Sequence, residues 1–147
     1  MMDSVVKRLL LLTAAIAVCL SMSGCIEESG AAGPDEPPEA STLSLEYTGT
    51  SLDNGSGGRG NCQVTASWTS CSDEDFTSYT LYRSTSANIS QDTTDAVNLG
   101  TYTGASETEH EDGSVFWNTR YYYAVVTRDE GGNYSWSNEP DILTPTY

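Results

Sequence analysis

From residue 42 to its end, the chain alternates apolar and polar side chains. The runs are Leu43-Leu45-Tyr47, Val64-Ala66-Trp68, Tyr79-Leu81, Val97-Leu99, Tyr121-Tyr123-Val125, and a last one from Tyr134 towards Leu143. Successive side chains of an extended strand point to opposite faces, so each run predicts a strand with one buried face. Nowhere in this region do apolar residues fall at helical spacing over ten positions. Turn-forming residues separate the runs, among them Asn54-Gly55, Asp112-Gly113 and Gly131-Gly132-Asn133. The pattern predicts an all-β domain over residues 42–147, a seven-stranded antiparallel β-sandwich.

Upstream of residue 42 the pattern changes twice. Lys7 and Arg8 precede an apolar run from Leu9 to Leu20, broken only by Thr13. As a helix it spans roughly 18 Å, against ~30 Å of hydrocarbon, so it is too short to cross a membrane. A basic start, a short apolar core and then small residues are the layout of a secretory signal. The run ends in Leu20-Ser21-Met22-Ser23-Gly24-Cys25, which resembles the lipobox of prokaryotic lipoproteins. The resemblance implies cleavage after residue 24 and a diacylglycerol on the Cys25 sulfur. Met22 stands where that motif usually has leucine. Residues 26–41 then read IEESGAAGPDEPPEAS, too acidic and Pro-rich to build a core. They predict a disordered linker over 25–41, with a reach of about 20–24 Å.

Several pieces of the β region resemble the fibronectin type III family, an immunoglobulin-like sandwich. Val64-x-Ala66-x-Trp68 looks like its second strand, which ends in a core tryptophan, and Phe76-x-x-Tyr79-x-Leu81-x-Arg83 like its third. Asp112-x-x-Val115 followed by Thr119-x-Tyr121-x-Tyr123-x-Val125 is similar to the turn and strand that carry the family's corner tyrosine. That implies a bond from Tyr121 back to the preceding turn and packing on Val115. Asp129-x-x-Gly132-Asn133-x-Ser135-x-Ser137 resembles the last hairpin. The chain departs from the family in the long glycine-rich stretch 49–61 and in Trp117-Asn118, where a Pro-Gly pair is usual. The resemblance also implies that the N-terminus leaves the sandwich at the pole of the Ser70–Ser78 and Asp129–Asn133 loops. Residues and resemblance together give a structural core of Trp68, Tyr79, Leu81, Tyr121, Tyr123 and Val125.

Charge narrows the partners. The sequence holds 21 acids and 6 bases, a net charge of −15. Without residues 1–24, which carry Asp3, Lys7 and Arg8, the remainder has 20 acids, 4 arginines and no lysine, a charge of −16. Such a surface repels phosphate backbones, which excludes nucleic acid as a partner. It suits solubility after export, and a salty environment in which repulsion is screened.

Candidate chemistry is thin. Gly55-Ser56-Gly57-Gly58-Arg59-Gly60 matches a dinucleotide fingerprint, but a strand follows it rather than a helix, so it reads as a loop. The carboxylates at 73–75 and at 107, 109, 111 and 112 read as a charged turn and a solvent-facing strand face. His110 stands alone, without a second histidine or a C-x-x-C pair for zinc, and reads as a half-buried strand residue. Cys62 and Cys71 flank one strand, about 30 Å apart if extended, so they are expected to stay unpaired. Sequons at Asn54, Asn88 and Asn133 fall in loops and are consistent with chance in a Ser/Thr-rich chain.

Exposed aromatics remain. Parity turns Tyr122 away from the core, Trp117 precedes a strand, and Trp136 lies on an edge strand. These three form the candidate binding surface. The expectation is a non-enzymatic, monomeric domain without cofactor or metal, tethered to a membrane in the cell envelope. Its partner would be a protein or, alternatively, a glycan bound by these aromatics.

Overall fold

The computed structural model describes residues 36–49 and 62–146. The expected signal and lipobox with Cys25, most of the expected linker, residues 50–61 of the glycine-rich stretch and the Asn54 sequon lie outside the described residues. Eight strands follow in order: β1 Leu43–Tyr47, β2 Val64–Trp68, β3 Phe76–Ser84, β4 Val97–Tyr102, β5 Glu109–Asp112, β6 Arg120–Asp129, β7 Tyr134–Trp136 and β8 Asp141–Leu143. All pairings are antiparallel. One sheet has the order β1-β2-β5, and the other β4-β3-β6-β7 with β8 also on β6. Among the described residues no helix is long and apolar enough to cross a membrane.

The count is eight where the alternation predicts seven, because the last run is broken. Pro140 has no N–H to give to a ladder. Its carbonyl still accepts from Tyr123 N, and Ser137 stays on β6 by accepting Val125 N at its Oγ, 2.9 Å away. Asn138 turns away to the other sheet. Its side chain accepts from Leu43 N at 2.7 Å and donates to Leu43 O at 2.9 Å, standing in for a strand neighbour.

Register sends Val64, Ala66 and Trp68 inward from β2, against Tyr79 and Leu81 of β3 and Tyr121, Tyr123 and Val125 of β6. All six expected core residues are buried in one cluster. The Trp68 indole lies 5.8 Å from the Tyr79 ring and 5.3 Å from the Tyr102 ring, spanning the space between the sheets. Tyr121 forms the expected corner: its hydroxyl accepts from Phe116 N at 3.0 Å, and Val115 is buried in the same cluster.

Packing begins upstream of residue 42. Pro38 is fully buried, Glu39 N donates to Asp73 Oδ2 at 2.9 Å, and the Ser41 and Thr127 hydroxyls are 3.3 Å apart. The N-terminal segment is thus fastened to the pole where β3 starts. The hairpin between β6 and β7 meets it there, with Glu130 N donating to Asp75 O at 2.9 Å.

Candidate functional site

The three candidate aromatics separate. Pairing places Trp136 opposite Val126, and Tyr82 opposite Ala124, two residues along β6 from Tyr122. All of these share the outward face of the larger sheet. Trp136 packs on Tyr82 with ring centroids 5.6 Å apart. Next to them the Arg128 guanidinium lies 5.3 Å from the centroid of Tyr134, which is 54% exposed. Trp117 is elsewhere: it packs at the rim of the interior, 6.4 Å from Tyr47 of β1. Its neighbour Phe116 carries the exposure, at 75%. Trp117, Tyr122 and Trp136 therefore do not form one surface. The face that exists comprises Tyr82, Tyr122, Tyr134 and Trp136, and parity from Tyr79 and Leu81 would have put Tyr82 on it.

This face is partly spent on structure. Ala124 and Val126 are fully buried although they lie on the outward side, outside the interior cluster. Ile89, in the connection between β3 and β4, is likewise buried outside the interior cluster. Glu139 holds that connection in place. Its two carboxylate oxygens accept from Asn88 N and Ile89 N, both at 2.7 Å. Residue 139 follows β7 on the side of β6 away from β3, so these bonds tie the connection to that side of the sheet.

Two carboxylates expected in solvent are buried instead. Asp112 alternates with the outward Glu111 and so points inward, 2% exposed. It pairs with Arg83 at 2.6 Å and accepts from the Tyr123 hydroxyl at 3.0 Å and the Ser114 hydroxyl at 2.7 Å. The same guanidinium stacks 4.9 Å from the Tyr121 ring centroid. Burial pushes the Asp112 carboxyl up, but the bonds from Ser114 and the charge of Arg83 outweigh it and leave its pKa below the ordinary value. Burial and the adjacent Asp112 charge raise the Tyr123 phenol.

At the other pole Asp73 accepts from the Cys71 thiol at 3.2 Å, and Cys71 N donates to the Tyr79 hydroxyl. Burial pushes the Cys71 thiol up to about 11. Burial raises Cys62 as well. Both cysteines are free and buried at opposite ends of β2. Thiols in these surroundings are poor nucleophiles at neutral pH.

His110 is half-buried on β5, its Nδ1 2.6 Å from the Tyr102 hydroxyl, and this contact joins the two sheets along their open edge. Among the described residues no three His, Cys, Asp or Glu side chains converge to hold a metal ion. Glu109 and Glu111 lie outward beside Thr65 and Ser67, and Glu107 accepts from Gly104 N at 2.7 Å to close a turn. A depression of about 190 Å³ lies between the N-terminal segment and Thr69-Ser70.

No protein-family model and no curated protein matches the sequence. Solved structures do match in shape. The domain resembles the fn3 domain of human contactin 1, at 15% identity and TM-score 0.55, over 80% of this chain and 95% of that one. The fibronectin type III domain of human fibronectin type III domain containing protein 3 matches at 15% identity and TM-score 0.50, over 80% and 94%. Pectate lyase PelI from Erwinia chrysanthemi matches at 16% identity and TM-score 0.51, over 70% of this chain but only 27% of the lyase. Against the lyases the chain thus spans about a quarter of their length. The described residues form a fibronectin type III-like β-sandwich.

Proposed function

We propose that this chain is an exported lipoprotein, held at a membrane through Cys25, that displays one non-catalytic fibronectin type III-like domain as a protein-interaction or spacer module. The observation that carries the reading is the fastening of Pro38, Glu39 and Ser41 at one pole. A tether ending there turns the Ser70–Ser78 and Asp129–Asn133 loops towards the membrane. The opposite pole, with Phe116, then faces outward. A filled interior and a domain built from strands and short loops suit a module that presents surfaces rather than a cleft. Fractionation of host cells expressing Cys25→Ala tests the anchor. The variant is expected to leave the membrane pellet for the soluble fraction, whereas retention in the pellet would remove the anchor from the account.

The alternative, a glycan-binding accessory protein, rests on Trp117, Tyr122 and Trp136. Division of these three between two places leaves Tyr82, Tyr122 and Trp136 to serve it. Glycan-array binding lost in Trp136→Ala and kept in Trp117→Ala would revive it.

A further inference from the structure

We propose that Asn88 is an N-glycan acceptor on the exported chain and that the Asn133 sequon is closed by its own fold. The inference rests on the export reading above. Two of the three Asn-x-Ser sequences fall on described residues, and the structure treats them in opposite ways.

In Asn88-Ile89-Ser90 the middle residue is the buried one, at 1% exposure, while Asn88 and Ser90 are both exposed. Bonds from the backbone N–H groups of Asn88 and Ile89 to Glu139 hold this segment, and the two residues that define the acceptor are both exposed. The Asn88 carbonyl closes a tight turn by accepting from Gln91 N at 3.0 Å and Asp92 N at 3.1 Å. Among the described residues the Asn88 side-chain amide has no hydrogen-bond partner, which leaves Nδ2 unengaged. In Asn133-Tyr134-Ser135 the amide is occupied. Nδ2 donates to Asp129 Oδ2 at 2.9 Å, the backbone N–H donates to Oδ1 at 2.8 Å, and the residue is half-buried inside the hairpin. Modification there would break a bond that closes the turn.

The donor class is an oligosaccharide joined through phosphate to a lipid carrier, with a membrane transferase supplying the machinery. The Asn88 Nδ2–C1 bond forms as the C1–O bond to phosphate breaks. The electron pair leaves on the phosphate oxygen, and the amide proton passes to the released lipid phosphate. Asn88 lies beyond the end of β3, at the pole away from Glu39, where a glycan leaves the tether free.

Asn88 also has a φ of 72°, a left-handed conformation that asparagine tolerates, and that alone would account for its residue type. Two variants separate the roles. Asn88→Gly keeps the backbone conformation, and Ser90→Ala keeps the asparagine while removing the sequon hydroxyl. The full chain is purified from its own host's membranes and digested, and its peptides are mapped by mass. The expected result is a sugar mass on the Asn88 peptide, complete loss of it in both variants, and a bare Asn133 peptide. The Cys25 peptide is read in the same digest. Lipid on Cys25 with a bare Asn88, or sugar on Asn133 alone, overturns the acceptor proposal and leaves the anchor standing. An uncleaved leader with a bare Cys25 overturns both.

Discussion

Each end of the sandwich interior is closed around a buried carboxylate, and the two are satisfied by different chemistry. Asp112, at the pole away from Glu39, holds an arginine, a tyrosine and a serine that all belong to the sandwich. Asp73, at the other pole, takes a thiol from its own loop and a backbone N–H from Glu39, the end of the incoming segment. The first ties strand to strand inside the fold, and the second ties the fold to whatever lies upstream. A buried ion pair is costly to break from one side, because the surviving charge stays out of water. Loss of the bond from Glu39 N to Asp73 costs less, because Glu39 is exposed, water reaches the freed N–H and no countercharge is stranded.

Asp112→Ala tests this contrast with the largest effect. It strands Arg83 beneath the Tyr121 ring and is expected to cost about 3–5 kcal/mol in denaturant unfolding. A loss below about 1 kcal/mol would mean that Arg83 escapes to solvent and that the pair does not close the pole.

Tyr79→Phe probes the other end. The hydroxyl that accepts from Cys71 N and donates to Ala105 O at 3.3 Å is removed, and the ring keeps its packing. A cost of about 1–2 kcal/mol is expected, with Asp112 and Arg83 unaffected. A cost equal to that of Asp112→Ala would erase the distinction between the poles.

Acid sharpens the comparison further. The folded Asp112 carboxyl has a pKa below the ordinary aspartate value. Its contribution is therefore fully present above the unfolded pKa and is lost as pH falls through the lower folded value. Melting temperature is expected to drop more steeply below about pH 4 in the native chain than in Asp112→Asn. Parallel curves would show that other carboxylates carry the acid response.

Much of the fold is legible in the alternation because burial on one face of a strand forces it. Trp68, Tyr79, Leu81, Tyr121, Tyr123 and Val125 follow from parity together with the family resemblance, and all six lie in the interior. The break between β7 and β8 was also written in the chain, at Pro140, but period-two counting passes over a residue that cannot donate. Charge misled where parity was set aside. Asp112 sits two residues from His110 on one strand and shares its inward face, yet its acidic neighbours make the whole stretch look solvent-facing. Asp73 carries no such sequence signal, because its burial depends on Glu39 arriving from a distant segment. Its place before a strand makes Trp117 look exposed, and contact with Tyr47 of β1 turns it inward. Burial of Ile89 beneath a loop is likewise a long-range effect, set by Glu139.

The most direct measurement is the intact mass of the protein extracted from its own membranes. The account predicts a chain that begins at Cys25, with residues 1–24 gone and a diacylglycerol on the sulfur. A chain that retains Met1, or one cleaved elsewhere with an unmodified Cys25, would contradict it.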